Sequence, residues 1–306
     1  MAVSRNKRKK VSATRVLFIC CGLFFPILYF VVFYIVPNGS AFFMGFQDKN
    51  GNWGMDNFKR LLQEIATTDS DLRLALRNTL ITFAIGLVAY PFQVLVSYFI
   101  YKKIPFAGFY RIIFFLPSII FSVAVATVFQ QLVSPNGFLA EWIGKLAGLD
   151  YSPELLADSR FSNYTIWAHM LWLAFPGDLI IWGGTFARIP QDVLESGELD
   201  GVNWFTEFTR IIVPMVWPTV ALNMVLRFCG ILGASGAVFL LTKGDYGTMT
   251  ITAWLYLQMY NFSGNAYTSN IFNYMSAVGL VITVISVALA TVIRRFTDKA
   301  FTEVEF

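Results

Sequence analysis

The chain has 306 residues, 56% of them hydrophobic and only 14% charged, with a mean hydropathy of +0.59. Soluble domains carry about 25% charged residues, and a water-soluble fold of this size cannot hide so much apolar surface, so that class is excluded. The formal net charge of +4 matters less than where the cations lie.

A basic cluster, Arg5, Lys7, Arg8, Lys9, Lys10 and Arg15, stands directly ahead of the first apolar run. Beside a membrane span it reads as an anchor on anionic lipid rather than as a nucleic-acid arm. It also looks like the start of a signal peptide, but the run behind it, about 21 residues, is too long, and no small-residue cleavage site follows.

A helical crossing needs about 20 apolar residues to traverse about 30 Å of hydrocarbon, and a helix satisfies its own backbone there. Six stretches qualify: 16–36, 79–101, 112–132, 166–186, 213–241 and 274–293. The overlong fifth predicts a tilt or a bend. With the N-terminus inside, the inner segments carry 14 Lys and Arg and the longer outer segments 8. Both termini are therefore expected in the cytoplasm. The sequence predicts an all-α polytopic membrane protein: a basic cytoplasmic N-terminus over 1–15, a six-helix domain over 16–296 and a cytoplasmic tail over 297–306.

Between the spans, Phe138, Leu139, Trp142, Ile143 and Leu146 recur at helical spacing. They predict a helix over 137–149 lying on the membrane surface, and the aromatic segment 250–262 reads similarly. Cys20, Cys21 and Cys229 sit in apolar runs with no metal or disulfide spacing. No GxxxxGK[ST] phosphate loop is present, so ATP hydrolysis is not expected of this chain.

The most informative stretch connects the fourth and fifth spans, over 188–212. Pro190 suits the first position of a short helix, and Asp192 and Glu195 suit its early turns, where the helix dipole favours acids. Gly201 permits a turn that a side chain would obstruct. Trp204, Phe205, Phe208, Ile211 and Ile212 then form one apolar stripe, and Pro214 and Pro218 mark the start of the fifth span. Such a helix pair can dock in a groove on another protein. The plainer alternative is a helix lying on lipid.

This segment resembles the signature loop of the permeases of binding-protein-dependent ABC importers: Glu-Ala-Ala, three residues, Gly, nine residues, then Ile-x-Leu-Pro. Glu195, Gly201, Ile211 and Pro214 stand at the matching places, with Ser196 and Gly197 for the two alanines and Val213 for the leucine. Gly197 weakens the first helix by about 1 kcal/mol relative to Ala. Asn57-Phe58 with Leu61, the run 76–80, Phe109-Tyr110-Arg111, Phe115-Leu116-Pro117 and the run 241–246 resemble further motifs of the carbohydrate-uptake (maltose-type) branch, although that family has more glycine in the last.

The resemblance implies a type I importer permease in a bacterial cell membrane, moving a sugar or oligosaccharide by alternating access. It implies a second permease subunit (a different chain), two cytoplasmic ATPases that bind the ATP and Mg, and an extracellular solute-binding protein. This chain itself is expected to be no enzyme, to hold no cofactor or metal, and to touch lipid but no nucleic acid. The implied ATPase-coupling residues are Glu195, Asp200, Gly201, Phe205, Phe208, Ile211 and Pro214.

A charge at mid-membrane costs at least about 3 kcal/mol, which singles out Arg227 in the fifth span. Asn223 shares its face one turn away. Asp178 is the intramembrane carboxylate, which a bend at Pro176-Gly177 would bring toward Arg227. Trp172 is a candidate sugar platform, as are Trp182, Trp254 and Tyr256. His169, the single histidine, falls on the opposite helix face from Asp178, which argues against a proton relay and for a satisfied or interfacial histidine. Gln93, Gln130 and Gln131 are candidates for lining the path or bonding between helices. The competing reading is a secondary transporter or channel working without an ATPase. Its marks are inverted repeats and interrupted helices, and neither is legible in the sequence.

Overall fold

The computed structural model describes residues 13–48, 50–233, 237–262 and 268–300. In chain order its helices are α1 (Ala13–Phe30), α2 (Val36–Gly45), α3 (Asp56–Ala66), α4 (Asp71–Tyr101), α5 (Ala107–Ile119), α6 (Ser122–Val133), α7 (Phe138–Leu146), α8 (Ser162–Phe186), α9 (Gln191–Leu199), α10 (Trp204–Thr206), α11 (Val213–Cys229), α12 (Val238–Leu241), α13 (Ile251–Phe262) and α14 (Thr268–Ala300). Two π-turns, Val31–Ile35 and Glu207–Ile212, join α1 to α2 and α10 to α11. Each ends two residues ahead of a proline, Pro37 or Pro214. Proline has no N–H to donate, and its ring crowds the carbonyl four residues back. A locally widened turn absorbs this without breaking the helix.

Four helices are singly long and apolar enough to cross a membrane: Cys21–Gly45, Asp71–Tyr101, Trp204–Cys229 and Asn270–Lys299. Two bent pairs, Ala107–Ile119 with Ser122–Leu146 and Ser162–Phe186 with Gln191–Leu199, bring the number to six. The third crossing, expected as one helix over 112–132, is broken, with its two arms 107° apart. The break does not fall at Pro117, which lies within α5. It falls at Ile120 and Phe121, whose ψ angles of 141° and 130° are extended. The 13 residues of α5 cover only about 20 Å of the ~30 Å hydrocarbon. An interrupted crossing is also a mark of the competing reading, so the helix pattern alone does not separate the two. The fifth crossing ends at Cys229 under a Gly230 cap; the apolar residues beyond it form a 3-10 turn, Ile231–Gly233, and α12.

The chain divides into two compact units. One comprises Met1–Leu61 with Ala266–Leu280. Here α2 and α14 approach so closely that a Cβ on Gly45 would lie 2.7 Å from Leu280 Cδ1 and 3.3 Å from the Ala277 backbone, the small-residue contact typical of helices packed in a membrane. Buried Asn57 donates to the carbonyls of Gly45 (3.1 Å) and Gln47 (2.9 Å), capping the end of α2. Asn273 donates to the Asp48 carbonyl at 3.0 Å, and the Arg60 guanidinium lies 4.1 Å over the Tyr274 ring. The Asn57-Phe58 and Leu61 motif thus has a packing reason: Leu61 is buried and Phe58 meets the Phe46 ring.

The other unit comprises Leu62–Asn265 with Val281–Phe306. Its main core joins α4, α8 and α11 through Tyr90, Tyr98, Trp182, Phe186, Ile212 and Val216. A loop over 242–250 is pinned by α4: Asn78 donates to the Gly247 and Met249 carbonyls (2.8 Å each), and Thr79 accepts from the Ile251 N–H (2.9 Å). In this loop Lys243 (φ 56°) and Tyr246 (φ 55°) adopt the left-handed conformation, at about 1–2 kcal/mol each. That is the physical counterpart of a loop poorer in glycine than its family pattern. On α7 the small residues Ala140 and Gly144 face inward, while Phe138, Trp142 and Leu146 are exposed, the two-faced division that its helical spacing predicts.

Replacing Gly45 by Leu puts a branched side chain where backbone stands, and overpacking of this kind costs about 1–3 kcal/mol. The variant is expected to melt measurably below wild type in detergent; an unchanged melting temperature would refute the close α2–α14 contact.

Candidate functional site

The connector is a helix, a turn and a second helix. Gln191–Leu199 begins one residue later than expected, with Pro190 as its N-cap. It ends in a paired closure: the Gly201 N–H donates to the Glu198 carbonyl (3.1 Å) and the Val202 N–H to the Gly197 carbonyl (3.0 Å). This is the Schellman arrangement, which demands a left-handed residue at the turn, and Gly201 supplies it with φ +70°. A Cβ on Gly201 would meet nothing within 4 Å, so the requirement is conformational rather than steric. Asn203 then caps the next helix by accepting from the Thr206 N–H at 2.8 Å. From Trp204 the helix continues through the π-turn to Cys229, so the connector's second half and the fifth crossing are one rod.

The expected apolar stripe divides. Phe208 meets the Tyr98 ring (5.2 Å), Trp204 meets Phe99 (5.4 Å), and Ile212 is fully buried. Phe205 faces out at 59% exposure, beside an α9 whose last residue, Leu199, is 89% exposed. Ile211 packs toward α9: its Cδ1 would stand 3.2 Å from a Cβ on Gly197. The glycine that weakens α9 is therefore also what lets the two helices approach. Glu195, Asp200 and Gly201 are exposed, and Glu195 accepts from Gln191 at 2.7 Å.

The sequence reading overlooked the group that holds the connector. Lys102, directly after α4, forms ion pairs with Glu207 at 2.9 Å and Glu198 at 3.2 Å. It therefore ties both connector helices to the end of the second crossing. The Glu207 side chain is 7% exposed and that of Glu198 67%, so the Glu207 arm dominates, since exposed pairs are worth about 0–1 kcal/mol. Burial disfavours the charge on Lys102, but its bonds to Glu207 and Glu198 outweigh this and hold its pKa above the usual lysine value. With the folded pKa raised, the contribution is complete below the ordinary lysine range and fades only as pH climbs past the raised value. At neutral pH the clamp is fully charged. These partners are about a hundred residues apart in sequence, where no periodicity signals a contact.

Arg227, expected near mid-span, instead lies in the last turn of the fifth crossing, because that helix stops at Cys229. There it donates to Gln93 Oε1 at 3.1 Å and lies 4.4 Å from the centre of the Tyr90 ring. Gln93 is 1% exposed and Tyr90 2%, so the cation stands on a buried polar-aromatic seat. Trp182, at 0% exposure against Tyr90, is core rather than a platform. Trp254, also buried, joins the core, while Tyr256 is half exposed. Asn223, one turn from Arg227, donates to its own helix at Thr219 (2.9 Å). Trp172 stacks on Phe129 of α6 and meets His169. Asp178 lies in α8, but its side chain falls outside the described residues. His169 is 1% exposed and, contrary to expectation, neither ring nitrogen has a hydrogen-bond partner among the described residues. Gln130 bonds between helices, to the carbonyls of Leu240 and Leu241. Among the described residues no three His, Cys, Asp or Glu gather as metal ligands would.

No protein-family model matches the chain. Two bacterial permeases are similar over most of its length. The osmoprotective compounds uptake permease protein GgtC of Synechocystis sp. is 27% identical over 284 residues, covering 88% of this chain and 95% of that one. The diacetylchitobiose uptake system permease protein NgcF of Streptomyces coelicolor is 27% identical over 329 residues, covering 96% of this chain and 86% of that one. Among solved structures, a chain of a bacterial alginate ABC transporter, in complex with alginate pentasaccharide-bound periplasmic protein, superposes with a TM-score of 0.81 at 21% identity, covering 95% of this chain and 97% of that one. With the helix-glycine-helix connector in place, the sequence likenesses make the chain a multi-pass cell-membrane permease subunit of the carbohydrate-uptake kind, and the superposition shows that it shares the fold of an ABC importer chain.

Proposed function

We propose that this chain forms one half of the path by which an ATP-driven importer moves a sugar or oligosaccharide into a bacterial cell, and that α9 is the part its ATPase grips. The carrying observation is the connector: fastened behind by Lys102 and the Gly201 turn, and presenting Leu199 and Phe205 outward. In this reading the Lys102 end faces the cytoplasm. A second permease chain completes the path, two partner ATPases bind the ATP and Mg, and an extracellular binding protein delivers the sugar. NgcF, by its name, serves diacetylchitobiose uptake, which favours a carbohydrate here too. A transporter working alone would have no use for an outward-facing apolar tip on a clamped connector.

The mechanics follow from the rod. Closure of the ATPases displaces α9 together with the clamped π-turn. Because Trp204–Cys229 is continuous, the displacement reaches Arg227, roughly 35 Å along at about 1.5 Å per residue. Glu195 and Asp200 present exposed acids to basic groups of the motor. Arg227, with Asn223, Asp178 and Trp172, marks the substrate path. A guanidinium already held by Gln93 and Tyr90 meets sugar oxygens without reorganising.

Three outcomes are expected. Leu199→Asp with Phe205→Asp abolishes co-purification of the ATPase, whereas Gly201→Val keeps it but reduces ATP-driven uptake to background; retention of both functions in both variants refutes the coupling role. Lys102→Ala strands a buried carboxylate and lowers unfolding stability toward the lower end of about 3–5 kcal/mol, whereas Lys102→Met with Glu207→Gln recovers most of it, read by thermal melts; equal losses would show that the pair is not coupled. Arg227→Gln lowers uptake by roughly 10-fold or more, as loss of a charged hydrogen bond implies, with ATPase association unchanged; normal uptake removes Arg227 from the path.

A further inference from the structure

At the Lys102 end of α4, residues of α4, α5 and α8 enclose a cavity of about 640 Å³. Ser97, Ile100 and Leu179, on its wall, are buried, whereas Lys103 and Arg111 are exposed. The cations therefore stand on the open side of the cavity beside the exposed Ile112 and Ile180, while Ile100 and Leu179 lie at its floor. Neither the Lys103 ammonium nor the Arg111 guanidinium has a hydrogen bond or ion pair among the described residues. The connection between α4 and α5 turns through left-handed backbone at Lys103 (φ 54°) and Phe106 (φ 64°). That turn carries α5 back beside α4 and sets Arg111 at the same mouth as Lys103. On α8, Gly183 and Gly184 also line the cavity, and a Cβ on either would meet nothing within 4 Å. Their bareness leaves a slot open along the helix.

A second cavity along α4, lined by Ile81, Ile85, Val88 and Phe92 among others, carries no charged residue. It suits any acyl chain and selects none. The Lys103–Arg111 cavity differs in pairing two unspent cations with an apolar slot, at the end of helices that cross a membrane. A free phosphate or an acidic peptide would leave the slot empty, and a neutral lipid would leave the cations unmatched.

We propose that this cavity is a site for one anionic phospholipid of the inner leaflet, with the phosphate held between Lys103 and Arg111 and an acyl chain lying along Gly183 and Gly184. Basic pockets between spanning helices on the cytoplasmic side take acidic headgroups in this manner. The leaflet follows from the importer reading; the ligand chemistry does not. Because the site adjoins Lys102 in sequence, a bound lipid braces the α4–α5 corner from which the connector hangs.

The test uses the full chain, purified with its partner subunits from nanodiscs holding equal phosphatidylglycerol and phosphatidylcholine, with bound lipid read by native mass spectrometry. Wild type is expected to retain phosphatidylglycerol preferentially. Each cation is worth about fivefold at such a surface, so Lys103→Gln with Arg111→Gln is expected to lose roughly 30-fold of that preference. Gly184→Leu, whose Cβ would meet nothing within 4 Å and whose branched end projects into the slot, should lower retention of both lipids. Equal retention of the two lipids by wild type, or an unchanged preference in the double Gln variant, would overturn the site. So would efficient cross-linking of Ile112→Cys to the partner permease, since the groove would then be a protein interface. ATPase co-purification is scored on the same samples: its absence in wild type would strike the importer reading while leaving the lipid preference to be judged separately.

Discussion

The connector's geometry rests on a lysine taken partly out of water to meet a buried carboxylate. An isolated Glu207 in this position would be strongly penalised, because desolvation of a charge is repaid only by close pairing. Lys102 supplies that pairing from the end of α4 and reaches Glu198 on α9 with the same ammonium group. One cation thus fixes the second crossing, the first connector helix and the start of the fifth crossing to one another. The Schellman turn at Gly201 sets the angle between the two connector helices, and the clamp sets their position. Neither alone would make a rigid lever.

The second constraint is continuity. Pro214 would ordinarily end or kink a helix, yet the π-turn ahead of it lets the rod run unbroken from Trp204 to Cys229. The same device precedes Pro37 in the first crossing. In the proposed coupling, force applied at the exposed tip would be carried along this continuous helix to Arg227. The third crossing is built oppositely: its break at Ile120 and Phe121 needs no proline and leaves two short arms.

What the sequence disclosed follows from what is local. Six apolar stretches, the left-handed glycine and the amphipathic α7 rest on residues within a few turns of one another, and composition with periodicity reads them, whereas Asn57 was legible only as part of a motif and not as the group that bonds the Gly45 and Gln47 carbonyls. The long-range clamp is different, because Lys102 looks like any basic residue at the end of a span. The break in the third crossing is equally silent: Ile120 and Phe121 are as apolar as their neighbours, and nothing in their side chains marks the extended backbone. Gly197 illustrates a partial reading, since its helix-weakening tendency was legible but its contact with Ile211 was not. Arg227 was conspicuous as a charge expected at mid-span, whereas its seat on Gln93 and Tyr90 comes from a helix more than a hundred residues away.

The central claim is that the connector moves as one body with the second crossing when the motor closes. Spin labels on Glu195→Cys in α9 and Phe92→Cys in α4, both exposed positions, can report their separation in the reconstituted complex with and without ATP. A rigid lever predicts a single narrow distance distribution that stays put while transport proceeds. A distribution that shifts or broadens on ATP binding would mean that α9 swings free of Lys102, and the lever would be lost.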